Sequence, residues 1–192
     1  SHINISKSAA RDNDDNEGGM FFVDSMFISI LNCYIVHNGV GVNLVNSSAC
    51  YLEECYFSLN THFSCKFEQS LSGILLTRCV FTENLRYALY SENSAFSISW
   101  SNLVKNENFG LYAKNSVIDA RYNWWGSKNV TAYTGLSRAD RVTRRPREIT
   151  YAPWLSFLMP DIGPDWDLDK TFEKPAYSNP WSEQITFPDP DT

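Results

Sequence analysis

Acid–base and metal chemistry need carboxylates, imidazoles or thiols brought together, and this chain offers three groupings of charged or nucleophilic residues. The first is Asp12-Asn13-Asp14-Asp15-Asn16-Glu17-Gly18-Gly19, dense enough in oxygen donors to hold Ca²⁺. Its spacing does not match an EF-hand loop, because no Gly follows the fifth position, and a solvated turn is the competing reading. The second is Arg138, Arg141, Arg144, Arg145 and Arg147, a basic cluster suited to a sulfated glycan or phosphate. Asp161, Asp165, Asp167, Asp169 and Glu173 follow it, so pairing within the chain or plain solvation is the favoured reading. The third is the set Cys33, Cys50, Cys55, Cys65 and Cys79. No Cys-x-x-Cys occurs, which argues against zinc. An odd count leaves at least one thiol without a partner in the chain.

Paired carboxylates, the machinery of glycoside hydrolysis, are harder to find. Between Ile28 and Trp125 the sole Asp is Asp119, and Glu53, Glu54, Glu68, Glu83, Glu92 and Glu107 are scattered. His37 and His62 lie near Asn38 and Asn60 with no carboxylate setting, as turn residues do. The sequence therefore predicts no catalytic residue, no cofactor and no metal ligand, with Ca²⁺ at the acidic segment held open. Enzymatic activity is left undecided, with the balance against it.

A repeat must position all of these residues. Cys33, Cys55, Cys79, Ser101 and Asn123 recur at spacings of 22, 24, 22 and 22. Two residues later come Ile35, Phe57, Phe81, Leu103 and Trp125, and three residues earlier Ile30, Leu52, Leu76, Ile98 and Ala120, all apolar. Five residues after the first four come Asn38, Asn60, Asn84 and Asn106. Such a period is the mark of a solenoid. Within each repeat apolar residues alternate, as in Ile28, Ile30, Cys33, Ile35, which is the pattern of strands with one buried face. Three short strands with turns need about 22 residues, so each repeat reads as one rung of a three-sided parallel β-helix. Stacked asparagines suit a side-chain ladder, and Asn tolerates the left-handed bend of a sharp corner. Cys33, Cys55 and Cys79 should stack as buried free thiols. Asn43, Cys65, Leu89 and Leu111 are placed on the next inward strand, with Phe63, Tyr87 and Phe109 two residues before the last three. Two extra residues between Asn60 and Ser72 account for the longer rung. Glu53, Thr77, Ser99 and Arg121 share an outward column.

These rungs resemble the right-handed parallel β-helix repeats of the pectin-lyase-like superfamily. Asn123-Trp124-Trp125-Gly126, followed by Tyr151-Ala152-Pro153-Trp154-Leu155, is similar to the ending common there, a turn leading to a terminal strand. The resemblance implies an all-β, single-stranded right-handed parallel β-helix with about five rungs of 22–24 residues and an irregular C-terminal tail. The superfamily hosts lyases, hydrolases, epimerases and non-enzymatic surface modules, so it fixes fold better than function. The Asn-Thr-Asp, Asp-Asp, Gly-His-Gly and Arg-Ile-Lys motifs of its polygalacturonase-like hydrolases are absent. One non-enzymatic group is the bark beetle (anakonda) type of invertebrate cell-junction protein. On that resemblance we expect an extracellular or cell-surface module that adheres to or scaffolds a protein or glycan partner, with self-association possible. The alternative is a carbohydrate-active or carbohydrate-binding module. An intracellular module binding a protein ligand is less favoured.

Composition narrows the partners. The 192 residues carry a net charge of −6, which argues against nucleic acid, and no apolar run of 18 residues spans a membrane. The organisation expected is a β-helix domain over 1–155 and a Pro-rich acidic tail over 156–192. Within the domain, 1–25 reads as a partial first rung, 26–126 as regular rungs and 127–155 as a terminal segment with a last strand. The opening on a partial rung suggests a piece of a longer protein. The tail holds Trp166 and Trp181 and is expected to dock on the flank, cap the helix or link to another domain. Asn4, Asn46 and Asn129 begin N-glycosylation sequons, in roughly the number chance would give.

Overall fold

A computed structural model describes residues 2–13, 18–126 and 149–166. Among them the chain forms strands β1 to β17 and no α-helix. Alternation sets each strand. In β4 (Met26–Leu31), Ile28 and Ile30 are buried while Ser29 and Leu31 are partly open.

The strands sort into three parallel sheets. A long face stacks β1 (Ile3–Ser6), β4, β7 (Ser48–Glu53), β10 (Ser72–Thr77), β13 (Ala95–Ser99), β16 (Val117–Asp119) and β17 (Ile149–Thr150). A narrow face stacks the three-residue strands β2 (Ala9–Arg11), β5 (Tyr34–Val36), β8 (Tyr56–Ser58), β11 (Val80–Thr82) and β14 (Asn102–Val104). A third face stacks β3 (Met20–Val23), β6 (Val40–Val45), β9 (Phe63–Glu68), β12 (Tyr87–Glu92) and β15 (Phe109–Lys114). Neighbours on a face lie one coil apart in sequence, so the chain winds as a parallel β-solenoid of about five coils. The expected partial first rung is fuller than that, since β1, β2 and β3 put a strand on every face.

The core is a set of columns. Ile28, Cys50, Ile74, Phe96 and Ile118 fill one, and Ile35, Phe57, Phe81 and Leu103 another, all buried. The Phe57 and Phe81 rings stack at 4.6 Å, nearly parallel. Trp125 closes the far end, where Ile149, Tyr151 and Trp154 also pack on the core. The terminal strand falls on Ile149–Thr150, just ahead of the Tyr151–Leu155 segment. Pro153, which has no N–H, contributes only its carbonyl, accepting from Tyr122 at 2.7 Å.

Corners explain the period. One column of left-handed residues is Lys7, Asn32, Glu54, Arg78, Trp100 and Tyr122; a second is His37, Leu59, Glu83 and Lys105; a third is Asp24, Asn46, Gln69, Asn93 and Asn115. Each such residue costs on the order of 1 kcal/mol. The next residue in the chain closes the corner with a hydrogen-bonding or thiol side chain, which offsets that cost. Here the structure corrects the sequence reading: the asparagines Asn38, Asn60, Asn84 and Asn106 do not take the left-handed bend, the residue before each does.

A second correction concerns register. Cys65 pairs with Val42, not Asn43, and Asn43 lies opposite Lys66 on the outer side. One of the two extra residues precedes Phe63, because Asn60 is three residues from its strand where Asn38 is two from Val40. The other sits at Leu71, between the corner Ser70 and β10.

Candidate functional site

The expected ladder residues come together. Asn13, Asn38, Asn60, Asn84 and Asn106 form one column, each Nδ2 donating to the next Oδ1 at 3.0, 3.2, 3.1 and 2.7 Å. The Oδ1 atoms of Asn60, Asn84 and Asn106 also accept the main-chain N–H of the preceding asparagine. Buried corner amides are thereby satisfied by side chains one coil away. Asn13 was grouped with the acidic segment by sequence; its place in the ladder shows only in three dimensions. Cys33, Cys55 and Cys79 stack at another corner, their thiols donating to the carbonyls of Leu31, Glu53 and Thr77. Ser101 and Asn123 continue that column, taking the N–H of Cys79 and Ser101. A third ladder, which the sequence reading missed, is Ser47, Ser70, Ser94 and Ser116. Their hydroxyls accept the N–H of Ser25, Ser47, Ser70 and Ser94 at 3.0–3.2 Å. Its spacing of 23, 24 and 22 was present in the sequence all along.

All five thiols are free and buried. The Cys55 thiol and burial push Cys33 far up, burial raises Cys65, and burial takes Cys50 to about 11. Since the thiolate is the reactive form, these three are poor nucleophiles.

The remaining candidates disperse. Asn4 and Asn46 are exposed, and Asn46 donates to Asp24 at 2.5 Å. Asn129 and the cluster Arg138, Arg141, Arg144, Arg145 and Arg147 lie outside the described residues, as do Asp14 to Glu17. Asp12 pairs with Arg11 at 3.3 Å. Among the described residues no three His, Cys, Asp or Glu side chains converge to hold a metal. Carboxylates sit beside cations instead: Glu54 with Arg78, Glu68 with Lys66, Glu83 with Lys105 and Glu92 with Lys114. Asp119 pairs with Arg121 at 2.6 Å, so Arg121 does not reach along its column toward Glu53. His37 is an exposed corner residue, and His62 sits next to Phe63.

What gathers instead is aromatic. On the third face Phe63, Tyr87 and Phe109 stack at 5.4 and 5.6 Å with planes within 11°. Alongside, Tyr90 and Tyr112 stack at 5.4 Å. The two columns interlock, Phe63 on Tyr90 at 4.9 Å and Tyr87 on Tyr112 at 5.5 Å. Phe63, Tyr87 and Phe109 were expected beside the inward strand; a ring is larger than the enclosed Val40 of the same register and turns onto the outer surface. Lys66 lies 5.9 Å from the Phe63 ring and Arg86 5.4 Å from the Tyr87 ring, within cation–π range. Tyr90 donates to Glu92 at 2.9 Å; burial and that bond push its hydroxyl up. Lys114, opposed by burial and helped by Tyr90, holds the Glu92 carboxyl below its ordinary value. Next to Lys66 the Asn43 Oδ1 is buried with no partner, an unused acceptor beside the rings.

The narrow face, by contrast, is crossed by residues 156–166. The chain belongs to the right-handed β-helix family: the model described as right handed beta helix region matches residues 1–123. No match is found among curated proteins or among solved structures.

Proposed function

We propose that this chain is a non-catalytic extracellular β-helix module for cell adhesion or scaffolding within a larger surface protein, of the bark beetle (anakonda) kind. The observation that carries the reading is the aromatic face, five interlocked rings edged by Lys66, Arg86, Glu68 and Glu92. Aromatic and Arg side chains are what protein interfaces use as anchors. A general acid, by contrast, needs a raised carboxyl. Glu92 is lowered by Lys114 and Asp119 by Arg121, the opposite direction. The sequon residue Asn4 is exposed and open to glycan attachment, which accords with secretion, whereas the Asn46 amide is engaged by Asp24.

A carbohydrate-binding or carbohydrate-active module is the second reading. It is favoured by the same rings, since aromatic faces pack against sugar C–H groups. One assay separates the two. The chain is incubated with a panel of acidic and neutral polysaccharides, with and without Ca²⁺, and products, binding and self-association are followed. New reducing ends or unsaturated products would overturn the non-catalytic reading. Saturable polysaccharide binding without turnover would favour the second. Self-association or capture of a surface protein that is lost in Tyr90→Ala/Tyr112→Ala is the result expected.

A further inference from the structure

The narrow face holds a different kind of site, built to read a peptide that bends at Asp161 and Gly163. Residues 156–166 run along the helix axis across its strands, and six main-chain groups of that segment are bonded to it. The Asn102 amide accepts the Met159 N–H at 3.0 Å and donates to the Met159 carbonyl at 2.9 Å. Arg78 donates to the Asp161 carbonyl at 3.2 Å, and its own carbonyl accepts the Gly163 N–H at 3.1 Å. Asn32 Oδ1 accepts the Asp165 N–H at 2.7 Å, and the Tyr34 hydroxyl donates to the Trp166 carbonyl at 2.9 Å. Two side chains are read as well. The Asp165 carboxylate takes a bond from Asn32 Nδ2 and lies 3.6 Å from Lys7 Nζ. The Trp166 indole N–H donates to the Asn32 carbonyl at 2.6 Å, and its ring meets Tyr34 edge-on at 5.1 Å.

An Asn amide presents one donor and one acceptor side by side, the complement of a peptide's N–H and C=O. Asn102 uses both on the Met159 main chain; Asn32, three coils away on the same strap, accepts the Asp165 N–H and gives its donor to the Asp165 carboxylate. Main-chain reading gives affinity without sequence preference, and Asp165-Trp166 adds direction and specificity at one end, with Trp the commonest anchor of interfaces. An open cleft lined by Glu54, Arg78, Ile162 and Pro164 remains beside the segment. The strap is therefore held at anchor points and not sealed into a core.

We propose that the narrow face is a peptide-binding groove whose ligand is a bent segment ending in Asp-Trp, and that residues 159–166 fill it in cis. Released from its own strap, the groove takes the same sequence in trans. This does not depend on what the aromatic face binds.

The test uses the full chain and a fluorescent peptide of the sequence Ser156 to Trp166. In Asp165→Ala/Trp166→Ala the cis segment loses its anchors, and amide exchange at Met159 and Gly163 should accelerate. That variant should bind the peptide at least tenfold more tightly than the parent, in which the tethered strap competes at high effective concentration. Adding Asn32→Ala should reverse the gain. Equal binding by parent and variant would overturn the proposal, as would continued protection of the strap amides, or a released strap with no peptide binding. Asn102→Ala in the parent, a milder change, should speed Met159 exchange about tenfold; an unchanged rate would refute main-chain reading by that amide.

Discussion

The narrow face and the aromatic face are built on the same coils, share one core and both carry outward aromatic columns, yet they end differently. On the narrow face Tyr34 and Tyr56 contact one another at 5.7 Å, and Trp166 arrives from 132 residues away to cover Tyr34. On the aromatic face five rings stack on one another, with Lys66 and Arg86 against them. The difference teaches that a repeat supplies surfaces, while non-repeating segments decide which surface is occupied. In a solenoid each coil touches its neighbours alone. The strap is an exception, since it bonds to Lys7, Asn32, Arg78 and Asn102 and so ties the first coil to the fifth.

The largest effect should come from the core the two faces share. Phe81→Ala removes a ring stacked on Phe57 and should cost about 3–5 kcal/mol in denaturant unfolding. Strap protection and aromatic-face fluorescence should be lost at one denaturant concentration. Two separate transitions would mean that the faces are not one cooperative unit.

Next is the corner joining the two faces. Asn84→Ala leaves the buried Asn60 main-chain N–H without its acceptor and removes the side-chain bonds from Asn60 Nδ2 and to Asn106 Oδ1, and should cost about 2 kcal/mol. A melting curve matching the parent would remove the ladder from the account of stability. Smaller still, Tyr112→Ala trims one edge of the aromatic face and should change stability by less than about 1 kcal/mol, the size of a cross-strand pair. Its effect on partner binding should be far greater than that. A large loss of stability with unchanged binding would make the rings structural and the comparison of faces mistaken.

The smallest effect concerns pH. The Glu92 carboxyl lies below its ordinary value of 4.5 in the folded chain, chiefly because Lys114 bonds to it. The ionised form therefore favours folding. That contribution is complete above about pH 4.5 and fades as pH falls through the lowered value. Glu92→Gln should melt slightly below the parent at pH 7 and converge with it toward pH 3. A gap that widens on acidification would reverse the assignment.

The all-β solenoid, its period, the inward columns at Ile30, Ile35 and their repeats, and the residues of the asparagine and cysteine columns were legible in the chain. Each depends on residues one period apart, and parallel stacking turns that sequence distance into direct contact. Even so, the serine corner went unread because Ser is common and its spacing drifts from 23 to 24 to 22. The left-handed residues went unread because those positions hold Lys, Glu, His, Leu, Trp and Tyr as well as Asn, so no residue type marks them.

What the sequence by itself determined is therefore the scaffold: strands of one buried face, wound at a fixed period, with polar residues at the corners. Tertiary structure alone decided the outer surfaces. The Phe63, Tyr87 and Phe109 rings stack on Tyr90 and Tyr112 although Val40, in register with Phe63, is enclosed, and Asn32 meets Asp165 although 133 residues separate them. Periodicity encodes contacts between neighbouring coils. It carries no information about where an aperiodic segment returns, or about which side of a corner a large ring will take, since both are settled by packing in three dimensions.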